Sequence, residues 1–325
     1  MTRTDAANRF YHALSYLAPE AAKLLHLLES EAAARVQEIR LRAGQPLCLT
    51  LNGRPAFVDR AGELHFRAAP RLFIIESALL HDTFLRLCEY SVHTREQELR
   101  HGFVTLPGGH RAGICGTAVL DRDNVHALRD ISSVNLRIAR EYPDCAADLM
   151  ARLPADFSGL LIAGRPGSGK TTLLRDAARR LAGGLTSGGR IYRVAVLDER
   201  GEIAAARGGQ PQNDLGLCAD VIAGCPKETA IEMAVRTLSP DYIIFDEIGR
   251  AAEAEQVVKG MSAGVRFIAT VHAGDRAELL RGATARLLLE AGAFSHVALL
   301  APEPPCTIAA LETIATFADR KNKGV

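Results

Sequence analysis

The run Gly164-Arg165-Pro166-Gly167-Ser168-Gly169-Lys170-Thr171 fits the spacing G-x-x-x-x-G-K-[ST]. A strand-like stretch from Gly159 to Ala163 precedes it, and a helix-like stretch from Thr171 to Leu181 follows. That context is what a phosphate-binding loop requires. Glycines let the backbone turn so that several N–H groups point inward, and the helix behind adds the positive end of its dipole. Lys170 is placed to reach the β- and γ-phosphates of ATP, and the Thr171 hydroxyl to bind Mg2+. The expected nucleotide contacts run from Gly164 through Thr172.

A second run supplies carboxylates. Asp241-Tyr-Ile-Ile-Phe-Asp246-Glu247 is a short apolar strand with two acids at its end. A strand buried on both faces belongs inside a parallel sheet, and ligands bind at the C-terminal edge of such sheets. Asp246 suits Mg2+ through water, because Mg2+ gives up its hydration shell reluctantly. Glu247 suits polarisation of an attacking water.

Two further strand ends carry polar groups. Val194 to Leu197 leads into Asp198-Glu199-Arg200, where Asp198 and Glu199 could position water or the metal. Taken alone, that triplet suits a surface ion pair equally well. Phe267 to Ala273 places Thr270 and His272 where a γ-phosphate could be sensed. Arg100, Arg111, Arg137 and Arg140 lie near strand ends of the N-terminal half, and an arginine from a neighbouring subunit could neutralise transition-state charge.

The elements that must position these groups fall into two parts. Residues 1–142 read as a smaller α+β domain. Helical spacing covers 8–38 with a break at Pro19, strands Glu38–Arg42 and Leu47–Leu51 follow, and Asn52-Gly53 turns into Pro55–Val58. A helix is expected over 71–90, a hairpin from Gly102 to Val119 turning at Pro107-Gly108-Gly109, and a strand from Val134 to Ile138. Glu141 to Asp144 reads as the linker, punctuated by Pro143. Residues 143–325 alternate strands (158–163, 191–197, 241–246, 266–271) with helices (171–183, 227–238, 252–262, 276–291), the pattern of a parallel sheet covered by helices. A last strand is expected from Cys306 to Leu311.

Bulk properties narrow the partners. Residues 1–150 carry 18 basic against 18 acidic side chains and 151–325 carry 21 against 20, so neither half is a basic body built to grip nucleic acid. The seven cysteines form no C-x-x-C pair and read as free thiols of a reducing compartment. The first residues show no signal-peptide pattern and no apolar run has membrane-spanning length, so a cytoplasmic location is expected, with any membrane association supplied by partners.

In this order, GRPGSGKT, LDERGEIA, DVIAGCPKETA, SPDYIIFDEIG and ATVHAGD resemble the stage III sporulation protein AA family. The N-terminal runs EIRLRAGQPLCL, GFVTLPGGHRAGICG and ISSVNLRIARE resemble it too, so the likeness extends from about 35 to 315. The family is a branch of the type II and type IV secretion ATPases and pilus retraction motors. The resemblance implies a RecA-like P-loop NTPase domain, an N-terminal domain that closes over nucleotide, and a ring, expected to be hexameric. It implies an ATP hydrolase of the mother cell that powers or assembles the channel complex to the forespore with membrane proteins of the same operon. Position by position, Lys170 and Thr171 match the phosphate loop and Asp246 and Glu247 the acidic strand end. Asp198 and Glu199 match an acidic box, His272 a histidine box, and Arg137 and Arg140 nucleotide-reaching arginines. One departure stands out: Cys218-Ala219-Asp220-Val221 occupies the place of an expected R-T-D-V segment, which leaves Arg207 as the nearest substitute. A nucleotide-gated scaffold with little turnover, or a nucleic-acid motor on the same core, remain alternatives.

Overall fold

The computed structural model describes residues 3–121, 124–139, 142–155 and 157–314. The chain divides into two compact units, Met1–Glu141 and Tyr142–Val325.

The first unit is an antiparallel sheet with helices. Its elements are α1 (Arg3–Leu14), α2 (Pro19–Leu25), α3 (Ser30–Arg35), β1 (Val36–Arg42), β2 (Cys48–Leu51), β3 (Arg54–Val58), β4 (Leu64–His65), α4 (Ser77–Leu87), α5 (Glu96–Arg100), β5 (Phe103–Thr105), β6 (Arg111–Asp121) and β7 (Asn124–Arg137). The strand order is β4-β3-β2-β1-β7-β6-β5. One apolar cluster joins Phe10, Leu14, Leu17 and Leu25 from the helical hairpins to Ile39, Leu41, Val134 and Leu136 from the sheet. Three expectations need correction. Pro19 opens α2 rather than merely interrupting a helix, since its missing N–H costs nothing in a first turn. The helix expected over 71–90 shrinks to Ser77–Leu87, because Leu72 and Ile74 bridge to Asp59 and Pro46 as extended chain. The strand expected at Val134 begins ten residues earlier at Asn124, pairing with β6 in a long ribbon. In that ribbon Thr117 to Leu120 are all exposed, so no apolar alternation announces it.

His110 is fully buried in this unit. Ala139 N–H donates to its Nδ1 at 3.0 Å, so Nε2 carries the proton and donates to His12 Nδ1 at 2.9 Å. Burial, then its neighbours His12 and Arg9, push the His110 pKa down to about 3. The unfolded imidazole takes a proton near its ordinary value of 6.5, the folded one only near 3. Stability from this group is therefore full above about pH 6.5 and is lost as pH falls toward 3, at about 1.4 kcal/mol per pH unit. Denaturant unfolding at pH 7, 6 and 5 is expected to show that decline, and His110→Gln is expected to flatten it. An equal slope in both proteins would refute the assignment.

The second unit is an α/β sandwich. It contains α6 (Ala147–Arg152), β8 (Gly159–Gly164), α7 (Lys170–Ala182), β9 (Val194–Asp198), β10 (Ala219–Ala223), α8 (Lys227–Thr237), β11 (Tyr242–Phe245), α9 (Ala251–Ser262), β12 (Arg266–His272), α10 (Arg276–Arg281), α11 (Ala283–Glu290), β13 (His296–Leu300) and β14 (Ile308–Thr313). The sheet order is β10-β9-β11-β12-β8-β13-β14, parallel throughout except for the β13–β14 pair. Successive strand residues point to opposite faces. Leu160, Ile162, Val196, Ile244 and Ile268 pack with Leu173, Leu174, Ala177 and Leu181 of α7. Their neighbours Leu161, Leu197, Ile243, Phe245 and Phe267 pack with Ile231 of α8, Val257 of α9, Leu279 of α10 and Leu288 of α11. Continuous apolar strands are thus explained by helices on both faces. The helix expected over 276–291 is two helices, parted at Gly282.

The start of this unit is tied to the helix behind the Gly-rich loop. Asp144 accepts from Arg179 Nη2 at 2.8 Å and Arg180 Nη1 at 2.7 Å, and Asp176 accepts from Ala146 N–H at 2.8 Å.

Candidate functional site

Chain order explains why the chemical groups meet. From β8 the chain crosses through α7 to β9, and β11 and β12 lie between them. Ligands bind where strand order reverses in this way, outside the C-terminal strand ends. The register aligns His272 with Gly164 and Phe245 with both Ala269 and Leu197. The residues just beyond, Asp246, Thr270 and Asp198, therefore sit at one edge.

The loop from Arg165 to Gly169 leaves β8 and enters α7 at Lys170. Gly169 has φ +90°, and a Cβ there would lie 2.6 Å from Cys306 Sγ and 2.7 Å from Cys306 N, so conformation and space both demand glycine. Cys306 N–H donates to Ser168 O at 2.8 Å, bracing the loop from behind. Ser168 Oγ is buried and has no hydrogen-bond partner among the described residues. Arg165, Pro166 and Gly167 are exposed, while Thr171 and Thr172 are half-buried in the first turn of α7.

Lys170 lies buried across this loop. Its Nζ donates to Gly164 O at 2.8 Å and Arg165 O at 3.1 Å, and meets His272 Nδ1 at 3.1 Å. Burial lowers its pKa, against the pull of Asp246 and Glu247. The other face of the His272 ring puts Nε2 3.5 Å from Glu247 Oε1. One imidazole thus stands between the loop lysine and the acid.

Thr171 Oγ1 donates to Asp246 Oδ2 at 2.5 Å, and Thr270 Oγ1 donates to Asp246 Oδ1. Thr270 Oγ1 also accepts from Glu247 N–H at 2.8 Å. Glu247 adopts φ +51°, an uncommon conformation for a residue with a side chain and one that marks a constrained position. Its Oε2 lies 3.3 Å from Arg200 Nη1.

Two expected roles look different in place. Asp198 is buried, and both its oxygens are taken by backbone N–H groups: Oδ1 by Glu202 and Ile203 at 2.8 and 3.2 Å, Oδ2 by Ala204 and Ala205 at the same distances. Four donors on one carboxylate make it the organiser of the loop that follows β9, and leave it no lone pair directed at a metal. Glu199 is half-buried, 3.8 Å from Lys227 Nζ and 3.6 Å from Arg250 Nη2. Arg137 is exposed on β7 of the first unit, with Nε 3.7 Å from Glu38 Oε1. Arg140 lies outside the described residues. Cys218, where an arginine was expected, precedes β10 and donates its N–H to Ala182 O at 3.1 Å.

Lys227 is not among the expected site residues. It is buried at the first position of α8, with Nζ 3.1 Å from Asp246 O and 2.5 Å from Glu247 O. A signal was present, because a cation in the first turn of a helix opposes the dipole. Glu253, not among them either, is buried 3.6 Å from Lys227 Nζ and accepts from Gly249 and Arg250 N–H at 2.9 and 3.1 Å. Burial would raise its pKa, but those N–H groups, Lys227 and Arg250 hold it below the usual carboxylate range. A cleft beside these groups is lined by Leu197, Asp198, Glu199, Arg200, Glu202, Lys227, Asp246 and Glu247.

A family model described as sporulation stage III, protein AA, matches residues 11–312. Stage III sporulation protein AA of Bacillus subtilis (strain 168) is 36% identical over 266 residues, covering 80% of this chain and 81% of that protein. Among solved structures, the Legionella pneumophila ATPase DotB aligns with a TM-score of 0.53 at 16% identity, covering 100% of this chain and 85% of its own. The pilus retraction motor PilT with bound ADP aligns with a TM-score of 0.57 at 16% identity, covering 90% and 85%. At that identity the likeness is one of fold: a RecA-like sheet with helices on both faces, preceded by an α+β unit. Among the described residues, no helix is long and apolar enough to cross a membrane.

Proposed function

This chain belongs to the sporulation stage III protein AA family, and from that premise we propose that it is an oligomeric, Mg2+-dependent ATP hydrolase. The observation that carries the reading is the meeting of Lys170, Thr171, Asp246 and Glu247 at one edge of a parallel sheet. In this reading the ring, a hexamer, acts in the mother-cell cytoplasm. It powers or assembles the secretion-like channel complex to the forespore, docking on membrane proteins encoded in the same operon. Nucleic acid plays no part, in keeping with the near-neutral charge of both halves.

The donor set suits both ligands. The orphaned Ser168 Oγ and the first-turn N–H groups of α7 offer hydrogen bonds to phosphate oxygens. Thr171 Oγ1 and the Asp246 carboxylate are hard oxygen donors that would hold Mg2+, with Asp246 acting through water. When bound, the metal would offset charge on the phosphates. Lys170 exchanges its carbonyl partners for phosphate oxygens. Glu247 orients a water for in-line attack on the γ-phosphorus and accepts its proton, and ADP leaves. His272, between Lys170 and Glu247, transmits the state of the γ-phosphate to the segment after β12. The first unit, residues 1–142, closes over nucleotide and brings Arg137 and Arg140 toward it. With Cys218 in the place of an arginine, Arg207 is the candidate for action across a subunit boundary.

The test is ATPase rate per subunit against protein concentration, with mass followed by light scattering. A rate that rises as rings form supports catalysis completed between subunits. A rate independent of assembly contradicts the oligomeric part of the proposal.

A further inference from the structure

We propose that Lys227 is a positioning residue whose ammonium clamps the backbone of Asp246 and Glu247 and so sets where the Glu247 carboxylate stands. The role in turnover rests on the ATPase reading above; the clamp itself does not.

In an extended strand, successive carbonyls point to opposite sides. A single cation can bridge the carbonyls of neighbouring residues only if the chain leaves strand geometry between them. That departure is present: β11 ends at Phe245, Glu247 has φ +51°, and Lys227 Nζ contacts both Asp246 O and Glu247 O. The opposite side of the turn is held by Thr270, whose Oγ1 accepts from Glu247 N–H and whose carbonyl accepts from Ile248 N–H at 2.8 Å. The turn is therefore gripped from two sides, and its side chain emerges toward His272 and Arg200.

Lys227 is in turn held by two acids from different elements. Glu199 follows β9 at 3.8 Å, and the buried Glu253 of α9 lies at 3.6 Å. Glu253 also binds Gly249 and Arg250 N–H, directly beyond the turn. A buried ammonium at a helix N-terminus is unfavourable in itself, through desolvation and through the dipole. Its placement is explained by what it joins: the acidic strand end, the segment after β9 and the start of α9. Without it, two carbonyls lose their donor and Glu247 relaxes toward extended backbone, carrying its carboxylate away from the attack position.

The experiment uses the full chain as wild type, Lys227→Met, Lys227→Gln and Lys227→Arg. Lys227→Gln serves where Lys227→Met fails to fold, since it keeps an amide donor and removes the charge. Steady-state ATPase is measured beside nucleotide stoichiometry and amide hydrogen exchange at Glu247 and Ile248. The expected result is a kcat lowered about tenfold, short of the hundredfold that a 1 Å misplacement can cost. KM stays within about twofold and nucleotide stoichiometry is unchanged, which separates lost positioning from lost binding. Exchange at Glu247 and Ile248 accelerates, and Lys227→Arg recovers part of both losses. Unchanged kcat, a rise in KM alone, or unchanged exchange overturns the proposal. If the wild type itself shows no turnover, the ATPase reading fails, and exchange alone decides the clamp.

Discussion

Replacing Lys170 with alanine is expected to abolish ATP hydrolysis and to weaken ATP binding by at least about a hundredfold. Each hydrogen bond to a charged group contributes about 1.5–3 kcal/mol, and a lysine shared between two phosphates makes more than one. The structure explains why no neighbour substitutes. Lys170 is the buried cation of the Gly-rich loop, with Nζ against Gly164 O, Arg165 O and His272 Nδ1. Arg165 is exposed, and Arg200 faces Glu247. Calorimetric titration with ATP and Mg2+, beside a phosphate-release assay, checks this. Wild-type affinity in Lys170→Ala would mean that the loop does not bind nucleotide as described.

Glu247→Gln is expected to bind ATP as the wild type does and to turn it over at least about a hundredfold more slowly, the scale of a lost general base. The substitution keeps shape and hydrogen-bonding reach toward Arg200 and His272, so it removes basicity and little else. Backbone strain at φ +51° is the same for both residues. A protein that binds but does not hydrolyse should also accumulate in its assembled, nucleotide-loaded form, visible by light scattering. Near wild-type turnover would transfer the role to another acid. Glu199 is the first candidate, and it is already engaged by Lys227 and Arg250.

The groups that meet at the sheet edge were legible because their chemistry constrains residue type and spacing together. Gly164 to Thr171 needs glycine, lysine and threonine at set places, and Asp246-Glu247 follows a run apolar enough to be buried on both faces. Edge elements were harder to read. At the border of the sheet β10 mixes half-buried and exposed residues, and β13, paired between β8 and the edge strand β14, follows a helix closely through Gly292 and Phe294, so neither shows as a separate apolar run. The outer part of the β6–β7 ribbon, Thr117 to Leu120, is exposed on both faces and gives no period. Asp198 was legible as a strand-end acid, but its four backbone partners come from the loop it folds, which spacing alone does not reveal. Lys227 stayed hidden for a related reason. Its partners are carbonyls, which every residue has, and acids from two distant segments.

The most direct test of Mg2+-dependent ATP hydrolysis at this site is phosphate release by wild type and Glu247→Gln, each with Mg2+ and with the metal chelated. The account predicts release by the wild type only when Mg2+ is present, and almost none by Glu247→Gln although it still binds ATP. Equal release by the two proteins, or release indifferent to chelation, would contradict it.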